Sequence, residues 1–136
     1  MAVVPGRMTR RADYLAANRG QRQTTPGFIL LVRDRRDGDP AARLGITVSK
    51  KVGGAVVRNR MKRRFRALGR ELLAANALAG ADHVLIGRKE GIERDFSALR
   101  EEFVSALARV TKKVRGQHAS PARPEASTSL SPNGER

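Results

Sequence analysis

Apolar positions along the chain fall into a few short patterned stretches, each separated from the next by polar or glycine-containing sequence. Residues 28–32 (Phe28-Ile29-Leu30-Leu31-Val32) form an unbroken apolar run behind Pro26 and Gly27, which predicts a strand buried on at least one face. Residues 34–40 are a polar turn. Residues 43–50 alternate, with Leu44, Ile46 and Val48 on one side and Gly45, Thr47 and Ser49 on the other. That is a half-buried strand whose second face is small and polar, hence open to a ligand or solvent. Residues 51–55 connect flexibly into a helix over 56–76, and residues 83–87 give a further short strand. Asp95 is placed to cap a third helix, in which Phe96, Leu99, Phe103, Ala106, Leu107 and Val110 recur at three- and four-residue steps. Near the start, Thr9 is a candidate cap for a helix running to about Arg19, with Gly20 placed to stop it. These elements predict a single small α+β domain, helices packed on one central sheet. The expected boundaries are a loose N-terminus over 1–6, a domain over 7–114 and a disordered tail over 115–136, where Ser, Pro, Ala and Gly replace large apolar groups.

The second helix is unusual in its charge. Setting Val57 at zero and turning about 100° per residue brings Met61, Phe65, Leu68 and Leu72 within about 80° of it, a single apolar stripe. Arg58, Arg60, Lys62, Arg63, Arg64, Arg66 and Arg70 all fall outside that stripe. Charged helix faces are ordinarily just solvated, built from Glu and Lys one turn apart. From Lys50 to Arg70 there is no Asp or Glu, so like charges repel along the helix with nothing to offset them. A binding role for the charge is favoured over the solvated face.

Composition agrees: 28 Lys and Arg against 13 Asp and Glu give a net charge of +15. Self-repulsion of that size calls for a polyanionic partner, nucleic acid before an anionic membrane. No apolar run approaches the roughly 20 residues that cross a bilayer, and no signal-peptide pattern follows Arg7, Arg10 and Arg11. The absence of cysteine excludes disulfides and thiolate metal sites and is compatible with a cytoplasmic protein. Catalytic chemistry is not evident. His83 lies in an apolar strand, His118 lies in the tail, the carboxylates are scattered, and no metal-ligand spacing appears. Gly53 and Gly54 sit beside lysines without the spacing of a phosphate loop.

The run Arg43-Leu44-Gly45-Ile46-Thr47-Val48-Ser49-Lys50-Lys51-Val52-Gly53-Gly54-Ala55-Val56-Val57-Arg58-Asn59-Arg60-Met61-Lys62-Arg63-Arg64-Phe65-Arg66 resembles the protein component of bacterial ribonuclease P. Its marks are Ser-Lys-Lys-x-Gly, then Arg-Asn-Arg, Lys-Arg and a further Arg. Weaker similarity extends from about Thr9, through Arg11-Ala12-Asp13-Tyr14 and Arg19-Gly20, to near Ala108. The resemblance implies an α-β-β-β-α-β-α fold with a left-handed crossover, a sheet of about four strands and three helices, and therefore a third central strand not evident from the pattern. It implies a subunit of a ribonucleoprotein in which the RNA performs Mg²⁺-dependent endonucleolytic removal of the 5′ leader from precursor tRNA, the isolated protein being inert. The implied partners are that catalytic RNA and precursor tRNA, with no membrane and no DNA. Carried over, Arg58, Asn59, Arg60, Lys62, Arg63 and Arg66 match the RNA-binding helix, and Lys50 and Lys51 the loop before it. Tyr14 matches an aromatic lining the leader cleft between sheet and first helix, where it could stack on an unpaired base; Thr47 and Ser49, on the open strand face, could reach sugar or phosphate. Ordinary core packing would explain Tyr14 nearly as well. Asn18 and Leu31 depart from the family pattern, standing where aromatics are often found.

Two other readings share the charge. A ribosomal or assembly protein that binds structured RNA would look similar apart from the signature helix. A DNA-binding module would need a companion helix before the basic one, and Gly53-Gly54 follows a strand instead.

Overall fold

The computed structural model describes residues 5–119, with side chains described to 116. The order of elements is β1 (Gly6–Arg7), α1 (Arg11–Ala17), β2 (Gln21–Thr24), β3 (Phe28–Asp34), β4 (Arg43–Thr47), α2 (Ala55–Asn76), β5 (Ala81–Gly87), a single 3-10 turn (Lys89–Gly91) and α3 (Phe96–Ala119). One five-stranded mixed sheet runs β1-β4-β5-β3-β2. β3 is antiparallel to both β5 and β2, whereas β4 is parallel to β5 and β1. Parallel neighbours need a crossover, and α2 supplies it between β4 and β5.

Side-chain alternation along the strands separates two cores. Phe28, Leu30, Val32, Leu44 and Leu85 point to the face that α2 and α3 cover, meeting Met61, Phe65, Leu68, Phe103 and Leu107. Phe28 lies at its centre, edge-on to Phe65 at 5.9 Å and tilted against Phe103 at 6.0 Å. Leu31 and Val84 point to the other face, where α1 closes a smaller cluster with Met8 and Ala17. β3 is therefore buried on both sides, which is why its sequence is a continuous apolar run. α2 lies close on the sheet because Gly69 has no side chain: a Cβ there would stand 2.7 Å from Leu44 Cδ2.

The expected strands and helices differ from the observed ones at their ends. The additional strand expected between the first two helices is β2, which lies at the sheet edge and not at its centre; its sequence Gln-Arg-Gln-Thr hides it because only one side is half-buried. Gly6 of the expected loose N-terminus is in a strand, its N–H bonded to Ala42 O at 2.8 Å. α1 starts one residue later than a Thr9 cap would give; the capping position is Arg10, which makes no side-chain cap. β4 stops at Thr47, and Val52 N–H to Ser49 O closes a turn through Lys50 and Lys51. β5 starts at Ala81 because Ala81 and Asp82 pair with Asp34 and Arg33 on β3. α3 continues past 115 to Ala119. The rest of the expected tail, 120–136, and the expected loose residues 1–4 lie outside the described residues. Among the described residues, no helix is long and apolar enough to cross a membrane.

Candidate nucleic-acid interface

α2 buries Met61, Phe65, Leu68, Gly69 and Leu73. Val57 and Leu72, two members of the expected stripe, are only half-buried, so the buried face is centred nearer Phe65. Asn59, Arg60 and Arg63 consequently point away from the core and are exposed. Lys62 and Arg66 are half-buried on the flank that faces β4, beside Leu44 and Ile46. Arg58 is half-buried too, its Nε donating to Gly53 O at 3.1 Å and so closing the turn before the helix. Lys50 and Lys51 are exposed in that turn.

One expectation about the charge is corrected. Arg64 does not face outward: its guanidinium donates to Gly91 O at 3.2 Å, to Ile92 O at 3.1 Å and to Arg94 O, and lies 5.7 Å from the Phe96 ring. It ties the segment before α3 to α2, because the carbonyls left over by the 3-10 turn need a donor. The other basic residues, Arg60, Lys62, Arg63, Arg66 and Arg70, have no hydrogen-bond or ion-pair partner among the described residues.

Across the sheet from this helix, α1 and the strands enclose a cleft of about 490 Å³ lined by Tyr14, Leu15, Asn18, Leu31, Thr47, Val84 and Ile86, with Thr9, Arg11 and Ile46. Tyr14, Asn18, Leu31 and Thr47, singled out separately in the sequence, meet here. Ser49 is exposed beyond the end of β4 and is not in the cleft wall. A second groove, about 320 Å³, opens on the far side of Tyr14 between β1 and α2. Tyr14 and Ile46 line both, so the two are neighbours across one ring. Neither has an Asp or Glu in its lining.

Two features that position Tyr14 escaped the sequence. Gly45 is its seat: a Cβ there would stand 2.7 Å from Tyr14 Cε1, 2.8 Å from its Oη and 2.9 Å from Met8 Sδ. The small second face of the alternating strand was the signal, but it is occupied by the ring at Gly45 and open only further along, at Thr47. The second feature is a buried carboxylate. Asp82, wholly buried, accepts from Arg43 Nε at 2.6 Å, from its second terminal nitrogen at 2.7 Å, and from Arg35 at 2.8 Å. Arg43 also reaches Asp13 of α1 at 3.4 Å. This chain of charges fixes the start of α1 to the sheet and thereby the width of the cleft. Burial alone would push the Asp82 carboxyl up, but the two arginines outweigh it and hold it below the usual carboxylate range. Its neighbour His83 is buried with Nε2 accepting from Leu78 N–H at 3.2 Å and Nδ1 3.2 Å from Arg43 O. Burial pushes this imidazole down to about 4, which keeps it neutral and structural. Among the described residues, no group of three or more His, Cys, Asp or Glu could hold a metal ion.

The family model for Ribonuclease P matches residues 5–111. The chain is 58% identical over 105 residues to the ribonuclease P protein component of Erythrobacter litoralis, covering 77% of this chain and 85% of that protein. It is 43% identical over 114 residues to that of Paramagnetospirillum magneticum, covering 81% and 86%. Among solved structures, the RNase P protein from Thermotoga maritima superposes with a TM-score of 0.65 at 32% identity, over 76% of this chain and 96% of that one. The Staphylococcus aureus RNase P protein gives a TM-score of 0.60 at 28% identity, over 78% and 92%. Sequence signature, sheet topology and these likenesses agree: the chain belongs to the ribonuclease P protein family, as a protein component of the endoribonuclease that matures tRNA 5′ ends.

Proposed function

We propose that this subunit binds the catalytic RNA of ribonuclease P through Lys50, Lys51, Arg58, Asn59, Arg60, Lys62, Arg63 and Arg66, and holds the 5′ leader of precursor tRNA in the α1 cleft. The supporting observation is the juxtaposition of a basic helix face, on which Arg60, Lys62, Arg63 and Arg66 lack partners among the described residues, with an acid-free cleft containing one tyrosine. Folded RNA presents dense phosphates, which suit the arginines; an unpaired leader presents base faces, which suit Tyr14 and the apolar floor of Leu31, Val84 and Ile86. Thr47 adds a hydroxyl at the cleft wall, and Ser49 would act only from outside it. With Asn18 and Leu31 in place of aromatics, the cleft stacks a single base.

Mg²⁺ belongs to the RNA in this reading. The carboxylates near both surfaces are engaged: Asp82 with Arg43 and Arg35, Asp13 with Arg43, and Glu71 with Arg100. They offer no oxygen cage of the kind a protein-bound hard cation takes. The setting is the cytoplasm, where precursor tRNA is made and trimmed.

The test compares holoenzyme containing the wild-type chain or Tyr14→Ala on precursor and mature tRNA. Loss of one stacked base weakens precursor binding by about tenfold or less and leaves mature tRNA, which has no leader, unchanged. An equal loss on both substrates would show that Tyr14 acts through packing or assembly, and the leader assignment would fall.

A further inference from the structure

We propose that the groove between β1 and α2 is a second single-strand subsite, which takes a nucleotide of the same leader adjacent to the one held against Tyr14. The inference rests on the leader reading above and extends it to Arg7 and Arg70, which lie outside the signature positions. One wall is the α2 flank, where Lys62, Arg66 and Arg70 repeat every four residues and so stand about 6 Å apart along the axis. Arg7, on β1, contributes a fourth cation to the lining. The apolar part of the lining is Met8, Leu44 and Ile46. A nucleotide has this dual character, an apolar base face and an anionic phosphate, and none of the four cations has a partner within the described protein.

Size and position choose the occupant. A volume of about 320 Å³ lies at the low end of small-ligand sites, roughly 300–1,000 Å³, so it admits one nucleotide and excludes a duplex. Structured RNA instead meets the outward side of α2, where Arg60 and Arg63 project, with the half-buried Lys62 and Arg66 on the border between that side and the groove. Because Tyr14 and Ile46 are common to groove and cleft, a strand leaving the cleft enters the groove without crossing an acidic surface. The groove also depends on β1 being paired: Gly6 N–H to Ala42 O at 2.8 Å and Met8 N–H to Leu44 O at 3.0 Å hold Arg7 in place.

The test uses holoenzyme reconstituted from the full chain and its catalytic RNA, with precursor tRNAs whose leaders lengthen one nucleotide at a time, and mature tRNA. Arg70→Gln and Arg7→Gln are the variants, since both side chains are exposed and neither belongs to the helix positions assigned to the catalytic RNA. Each should weaken precursor binding about two- to fivefold, the range of an exposed ion pair. The loss should set in at a leader length one or two nucleotides away from that at which Tyr14→Ala first matters. It should be absent for mature tRNA and for binding of the catalytic RNA alone, with melting temperatures unchanged. A loss shared by mature tRNA or by the catalytic RNA would assign the groove to the RNA subunit and overturn the proposal. So would no loss at any length, or an onset identical to that of Tyr14→Ala, which would place both contacts on one nucleotide. Wild-type affinity that ignores leader length would instead sink the leader reading itself.

Discussion

Gly45→Ala is the smallest change that tests how the cleft is built. Alanine suits a strand better than glycine, so the generic expectation is a gain of about 0.5–1 kcal/mol. Here the added Cβ would fall 2.7 Å from Tyr14 Cε1 and 2.8 Å from its Oη. Carbon contacts are comfortable at about 3.5–4.0 Å, so the ring must retreat by about 1 Å or the strand must bend. Overpacking of this kind costs about 1–3 kcal/mol, reversing the generic sign. For a domain of this size, thermal melting should fall by about 4–8 °C per kcal/mol. The displaced ring also loses its bond to Met8 O, 3.4 Å long. Precursor tRNA binding by the holoenzyme should drop as it does for Tyr14→Ala, mature tRNA binding should not, and the two substitutions should be strongly non-additive. Gly116→Ala is the reference: nothing lies within 4 Å of its Cβ, and in a helix it should gain about 0.8–1 kcal/mol. A Gly45→Ala protein that melts at or above wild type and discriminates precursor from mature tRNA normally would refute the seat.

Arg63→Ala and Arg64→Ala, adjacent in sequence, should separate cleanly. The first weakens RNA binding with little effect on melting, while the second frees three carbonyls and costs stability, about 1.5–3 kcal/mol; titration and melts on both would expose a wrong helix register. Phe65→Ala, wholly buried against Phe28, should cost about 3–5 kcal/mol in denaturant unfolding. Stability should also fall in mild acid. His83 titrates near 4 when folded and 6.5 when unfolded, so its contribution is intact above 6.5 and lost as pH falls toward 4. The loss totals about 3 kcal/mol, with Asp82 adding to it at lower pH still; unfolding free energies that stay flat from pH 7 to 4.5 would contradict it. RNA affinity should fall with salt at a log–log slope near −4 or steeper, taking about six phosphate contacts at −0.7 to −0.9 each. A slope near zero would mean that the α2 charge is merely solvated.

Sequence patterns exposed the parts of this fold whose burial is one-sided and periodic. The register of α2 followed from Met61, Phe65 and Leu68, and α3 from Leu99, Phe103 and Val110, because each helix packs one face on the sheet. β2 stayed hidden because an edge strand of Gln, Arg and Thr is defined by its hydrogen bonds to β3, which leave no apolar alternation. β1 is two residues long, below any periodicity. The site was legible by composition but not by geometry. Charge singled out α2 as a whole, yet the partners that turn Arg64 back onto carbonyls while Arg63 stays exposed lie some 30 residues away, where no local pattern reveals them. Likewise Asp82 reads as a stray polar residue before a strand until Arg43 and Arg35 arrive from other elements. Tyr14 was left between core packing and a cleft. The structure gives it both surroundings, half-buried beside Met8 and lining two open grooves.

In the proposed division of labour the protein assists an RNA that performs the cleavage. RNA-free protein, the catalytic RNA of ribonuclease P, and the two together should be incubated with precursor tRNA at low Mg²⁺, and release of the 5′ leader followed. Little cleavage by the RNA alone, none by the protein alone, and rapid cleavage at the mature 5′ end by the mixture are expected. Cleavage by the protein alone that survives nuclease pretreatment, or a mixture no faster than the RNA, would contradict it.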